Sequence, residues 1–439
     1  MSESKQSSRH KVRSSIRWTV LLLWMLLICC SCQLFSSQTK NTIEPPTSSS
    51  ENPTQDTTLP TISTETISTE TEISTEETQT LTSATWIDDE KLHGIYDFTD
   101  PQAGVYAYYS LTPSAKRWYQ DIEQILGQMS ENKELSAEGL KEGLTQADIE
   151  TIFQCVMNDH PEFFYVDGYS YTVYESAGKT VKIELSGTYN VSFEEAKRRE
   201  ALIQEEVERI LSGIDPYSID YRKIKYVYET LIANTEYNIE ASDNQNIYSV
   251  FVNHESVCQG YAKAAQYLLG KLDVEATLVI GEVHNGEGHA WNLVRSNGDY
   301  YYFDATWGDA SYQNDTSRED ETPSINYDYL CVTTDEILAT HIVGSVVAMP
   351  VCTAIADNYY VREGKYFTSY DTTKLSEFFA ASIEAGEKYM SFKCDDYETY
   401  LTIEEELITK KGIFDYLSGS IAYVQNPDHR TLSFWVTMP

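Results

Sequence analysis

The 439 residues carry 68 acidic against 32 basic side chains, a formal net charge of −36. No segment beyond the extreme N-terminus is basic, which argues against nucleic acid as a partner and against electrostatic docking on an anionic lipid face. The eight cysteines, at 29, 30, 32, 155, 258, 331, 352 and 394, make no CxxC pair and no close Cys/His cluster, so neither a zinc site nor a dense disulfide framework is expected.

In chain order, Lys5, Arg9, Lys11, Arg13 and Arg17 precede WTVLLLWMLLICC, an apolar run too short to span a bilayer comfortably. A basic stretch, an apolar stretch and then a small residue describe a secretory signal peptide over residues 1–32. The sequel ICCSCQ resembles a bacterial lipobox, with Cys32 the expected lipidated residue, Cys30 a second acceptor and an uncleaved signal anchor the competing reading. On any of these readings the bulk of the chain lies outside the cytoplasm, held at the membrane through its N-terminus.

Residues 33–85 are rich in Ser, Thr, Glu and Pro and nearly repeat a short unit in TISTETISTETEISTEET. Such a segment buries too little apolar surface to offset its ordering entropy and is expected to be a disordered tether.

Residues 86–190 read as a small α+β segment. PSAKRWYQDIEQILGQM and TQADIETIFQCVMNDH show helical apolar spacing, while FFYVDGYSYTVYES and TVKIELSGTY alternate as strands. Residues 191–360 form the expected core. A helix opens at Ser192 with Glu195 three residues on and closes near Gly213, and a second runs through DYRKIKYVYETLIAN. ESVCQGYAKAAQYLLG places Cys258 at the head of a third helix, and EATLVIGEV, HAWNLVRS and YYYFDATW read as three strands. Residues 361–439 are expected to form a small α/β segment with a helix near 374–385. Helices packed on an antiparallel sheet give an α+β fold class.

The chemistry centres on three residues. A thiol in the first turn of a helix faces the positive end of its dipole, which favours the nucleophilic thiolate; a buried, inert cysteine is the bland alternative. Asn297-Gly298 is a two-residue hairpin signal, and a turn centred there sets Trp291 opposite Asp304 and His289 opposite Thr306. His289 and Asp304 then share a face as diagonal neighbours, with Trp291, Phe303 and Trp307 able to keep water away. A carboxylate on one ring nitrogen fixes the tautomer and leaves the other free as a base, so Cys258, His289 and Asp304 have the logic of nucleophile, base and orienter. An exposed ion pair of little consequence is the competing reading of the last two.

His284 and His289 are separated by glycines, which suits a loop rather than a metal-binding helix, and His160 before Pro161 reads as a turn residue. Cys155, Cys331, Cys352 and Cys394 are expected to be buried, with a Cys331–Cys352 bridge compatible with their number. The 33 tyrosines read as packing, with stacking surfaces for ligands as the alternative.

ESVCQGYAKAAQYLLGKL, GHAWNLV and YYYFDATWGD together resemble the three signature blocks of bacterial transglutaminase-like domains, within the wider papain-like cysteine superfamily. The resemblance covers about residues 220–310, extends more faintly to YDYLCVTTDEILATH and NYYVREGKYF, and departs at Ser256, where a glycine is expected. It implies the roles already given to Cys258, His289 and Asp304 and a substrate site lined by Trp291 and Trp307; the sequence shows no calcium site, and neither a metal nor a cofactor is expected. The implied activity is acyl transfer on peptide or glutamine-type amides, by hydrolysis or transamidation; the tethered location, rather than the site, points to surface proteins or cell-wall peptides as substrates. A scaffold that keeps the triad without using it is the alternative.

Overall fold

The computed structural model describes residues 106–176, 178–309, 323–344 and 347–437, and the backbone of Lys11–Ser15, Asn41–Ile43 and Trp86–Ile87. The apolar N-terminal run, Cys30, Cys32 and the repetitive stretch lie outside the described residues. No described helix is long and apolar enough to cross a membrane.

After a short helix at Tyr106–Ser110, two longer helices carry the first part of the folded region. Thr112 caps α1 (Pro113–Gly127) by accepting from Ala115 N, with Pro113 in the first turn where its missing N–H costs nothing. α2 (Asp148–Asp159) follows, and Asp148 draws the Thr145 amide onto its carboxylate. Strands β1 (Val166–Ser176) and β2 (Lys179–Tyr189) then pair antiparallel as the alternation predicts.

The core follows with α3 (Phe193–Leu211), α4 (Asp220–Asn234) and α5 (Cys258–Lys271). Ser192 caps α3 by accepting from Glu195 N, but the Glu195 carboxylate turns outward to Arg198 and Arg199. Only half of a capping box therefore forms.

Next come β3 (Ala276–Val283), β4 (Gly288–Ser296) and β5 (Asp299–Phe303), the short helix α6 (Ala305–Gly308), β6 (Leu330–Val332) and β7 (His341–Gly344). They build one five-stranded antiparallel sheet in the order β6-β5-β4-β3-β7. This is the expected α+β architecture.

Alternation along β4 divides the sheet into two faces. Trp291 and Leu293 pack with Trp118, Tyr119, Ile152 and Phe153 of α1 and α2. Val294 joins the opposite cluster with Val227, Leu231, Ala265 and Leu268 of α4 and α5. Asn292, on that second face, donates to the Ala262 carbonyl of α5 at 2.9 Å and ties the helix to the sheet.

The two faces also bear on the Cys331–Cys352 bridge that the sequence leaves open. Cys331 belongs to the α4/α5 cluster and Cys352 to the α1/α2 cluster, so the sheet lies between them and both are buried without a disulfide. Cys155, Cys258 and Cys394 are likewise unbridged and buried.

The C-terminal region contributes α7 (Thr372–Glu384), β8 (Met390–Cys394), α8 (Tyr397–Glu404), β9 (Ser420–Asn426) and β10 (Thr431–Thr437) around its own core. It is held to the sheet by polar bonds. Asp328 accepts from Asn426 and Thr431, and buried Glu336 pairs with Lys393 at 2.9 Å and Arg430 at 3.4 Å.

Candidate active site

Cys258 is the first residue of α5, after Val257 in extended conformation. The preceding strand residue Ser256 is buried, its Oγ 2.7 Å from both the Asn244 carbonyl and Ser249 Oγ. That hydroxyl occupies the space beside Gly260, where any Cβ would collide with it. The serine at 256 thus packs its hydroxyl under the first turn of α5. Cys258 packs with Ala262, Leu278 and Ala290 and is 2 % exposed.

The β4–β5 hairpin has the predicted register. Asn297 and Gly298 have φ of 52° and 97°, as a two-residue turn with both central residues left-handed requires, and Asn292 pairs with Phe303. Beyond Phe303 the expected strand ends. The Asp304 carboxylate folds back onto the amides of Thr306 and Trp307, at 2.9 and 3.1 Å, and caps α6. Thr306 is therefore helical and does not pair with His289, whose strand partner is Gly281 on β3. Glycine is needed there because a Cβ would meet the Ile342 carbonyl and the Trp291 ring.

His289 and Asp304 still meet. His289 Nε2 lies 2.7 Å from Asp304 Oδ2, with the residues 4 % and 1 % exposed. An ionised carboxylate only accepts, so Nε2 carries the proton and donates. The other ring nitrogen is left free of Asp304, and Cys258 lies near enough to act electrostatically on the ring.

Electrostatics follow from these contacts. Burial alone would lower the His289 pKa, but the charge and hydrogen bond of Asp304, with the Cys258 contact, push it up to about 10. Burial would raise Asp304, yet the two imidazoles around it hold the carboxyl well below its usual range. A charged imidazole beside an ionised carboxylate is the resting arrangement these contacts favour.

The second imidazole is His341, at the start of β7, with Nε2 3.1 Å from the same Asp304 oxygen. It was not singled out in the sequence. Its stretch, YDYLCVTTDEILATH, falls in the fainter part of the resemblance, and its approach to Asp304 depends on β7 crossing to pair with β3. A ring nitrogen of each histidine and an Asp304 oxygen lie within 4.8 Å of one another. As placed, both imidazoles direct Nε2 to the same Asp304 oxygen.

The two tryptophans sit differently from the expected substrate lining. Trp291 is 1 % exposed and stacks on His289 with ring centroids 5.7 Å apart, while Trp307 is buried edge-on to the same ring at 6.2 Å. They enclose the imidazoles from behind, because the face of β4 that carries Trp291 is covered by α1 and α2.

His284 falls in the β3–β4 loop, where Gly286 has φ of +87°. His160 ends α2 in a turn, with Nδ1 2.8 Å from Glu162.

Residues 208–305, from the end of α3 through α5 and the β4–β5 hairpin, match the model of the transglutaminase-like superfamily. The chain carries a transglutaminase-like domain. Cys258, His289 and Asp304 all lie within that domain. Among solved structures it is similar to one titled a TGase, at 18% identity over 31% of this chain and 43% of that one, with a TM-score of 0.23. It is also similar to the periplasmic domain of TgpA from Pseudomonas aeruginosa, at 9% identity over 33% of this chain and 73% of that one, with a TM-score of 0.19. The chain thus spans less than half the length of the first of these. No curated protein matches it. Members of the transglutaminase-like superfamily are typically cysteine acyl-transfer enzymes.

Proposed function

We propose that the protein is a cysteine acyl-transfer enzyme acting on peptide or glutamine-type amides, with Cys258 as nucleophile, His289 as acid and base and Asp304 as orienter. The observation that carries this reading is the buried His289–Asp304 bond of 2.7 Å beside a cysteine that heads a helix. A surface ion pair would be exposed, and these groups are not.

In the proposed cycle the Cys258 thiolate attacks the amide carbonyl carbon. The C–N bond then breaks, His289 delivers its proton to the departing amine or ammonia, and a thioester remains on Cys258. Water or a primary amine resolves it, giving hydrolysis or transamidation and returning the proton to His289. The Cys258 amide, at the N-terminus of α5, is the expected donor to the transient oxyanion. The basic and apolar N-terminal run, with Cys32 in a lipobox-like setting, supports an exported, membrane-tethered enzyme whose substrates are surface proteins or cell-wall peptides.

Incubation with glutamine-containing peptides, with and without a primary amine, followed by mass spectrometry, tests the reading. Cleaved, deamidated or amine-conjugated product that disappears in Cys258→Ala is expected. No product, together with iodoacetamide labelling of Cys258 that is indifferent to His289→Ala, would leave the scaffold reading.

A further inference from the structure

The acyl-transfer cycle gives His341 no role, yet the residue is fully buried and occupies one side of the orienting carboxylate. Its Nε2 must carry a proton to bond Asp304 Oδ2, because the carboxylate only accepts. Burial, with His289 and His284 nearby, lowers its pKa to about 4 despite Asp304, so the ring is neutral and Nδ1 is an acceptor. Thr340 Oγ1 stands 2.7 Å from Nδ1 and donates to it. One tautomer satisfies both neighbours, whereas the other would turn a lone pair toward Asp304.

The ring cannot swing away. Trp291 and Trp307 lie with centroids 4.9 Å from it and Tyr329 at 5.8 Å, with His429 of the β9–β10 turn 4.5 Å behind Tyr329. The titratable groups facing it are Asp304, His289, His284, Tyr329 and His429.

We propose that His341 is a positioning residue: its Nε2–H, fixed in tautomer by Thr340, pins the Asp304 carboxylate against His289 and draws off part of its charge. The proposal rests on the triad reading above. Carboxylate torsions are broad, so an aspartate bonded only to a mobile partner would rotate. Here the Thr306 and Trp307 amides hold Oδ1 and His341 holds Oδ2, which leaves one direction open for His289. A neutral donor on the same oxygen also weakens the carboxylate's pull on a charged His289. It therefore limits how far up in pH the Cys258–His289 ion pair survives.

The test is the rate of Cys258 alkylation by iodoacetamide in the full chain, followed across pH by peptide mass spectrometry. His341→Phe, which fills the space without donating, should lower the plateau on the order of tenfold, as loss of an orienting partner does. It should also move the basic limb to higher pH. Thr340→Val should shift both in the same direction by less, and His341→Gln, whose amide can donate near the Nε2 position, should recover both toward wild type. A wild-type profile in folded His341→Phe, or a loss in His341→Gln equal to that in His341→Phe, would show that the residue only fills space. Should His341→Phe fail to fold, an unshifted basic limb in Thr340→Val overturns the proposal by itself. Failure of the triad reading looks different: wild-type Cys258 would then label slowly and without regard to His289→Ala, whatever stands at 341.

Discussion

Two of the buried aspartates, Asp159 and Asp304, have comparable hydrogen bonding and end in opposite states. Asp159, at the end of α2, accepts from the Ala107 and Tyr108 amides at 2.9 and 2.8 Å and from the Tyr119 hydroxyl at 3.0 Å. Asp304 accepts from two amides and two imidazoles. Burial pushes the Asp159 carboxyl up to about 6 in spite of its donors, whereas Asp304 stays well below the usual range. Neutral donors satisfy lone pairs without repaying the desolvation of a full charge; an imidazole that can itself become charged does. The first aspartate organises packing, and the second is equipped to hold a proton carrier.

The largest expected effect is at Asp304. Asp304→Asn presents an N–H to an imidazole that needs an acceptor, and amide turnover should fall on the order of 10⁴-fold, as loss of a triad orienter does. Asp304→Ala strands two buried imidazoles and should cost about 3–5 kcal/mol in denaturant unfolding. A wild-type rate in the asparagine variant would erase the distinction between the two sites.

Asp159→Asn should cost about 1–3 kcal/mol, because one of its oxygens becomes a donor facing the donors of Tyr108 or Tyr119. Cys258 labelling should stay within about twofold of wild type, since surface and structural changes away from a site leave its transition-state contacts intact.

The pH dependence of stability separates them further. The folded Asp159 binds a proton more tightly than the unfolded chain, so its contribution declines as pH rises from the usual carboxyl value, about 4, to about 6. Asp159→Asn should remove that slope from chemical denaturation curves. The raised His289 contributes stability that is complete below about 6.5 and is lost as pH rises through about 10. His289→Ala should flatten the alkaline side and, by releasing Asp304 toward its usual carboxyl value, weaken the acid side too.

The smallest effect is expected from Tyr119→Phe, which removes one neutral donor from Asp159. A loss of about 1 kcal/mol, with the acid-side slope extending to higher pH, would sharpen the contrast with the charged His289 at Asp304.

Much of the site was legible because its parts are local. The Asn297-Gly298 turn fixes the hairpin register, and that register brings residue 289 near residue 304. The helix start at Cys258 follows from apolar spacing after a β-type residue. Three features escaped. Asp304 leaves its strand because its carboxylate competes for the next two amides, a choice that periodicity does not record. The enclosure of Trp291 depends on α1 and α2, which lie more than a hundred residues earlier in the chain. His341 depends on β7 pairing with β3 instead of β6, its neighbour in sequence, and long-range strand order is weakly encoded in any short stretch.

The serine that precedes Val257 leaves a mark one helical turn away. Since its hydroxyl fills the room beside position 260, an alanine there would have to turn that hydroxyl off its bonds to Asn244 and Ser249. The two sites should therefore vary together among relatives, and a sequence that pairs serine with alanine would either lose those buried bonds or lift the start of the nucleophile's helix away from its strand.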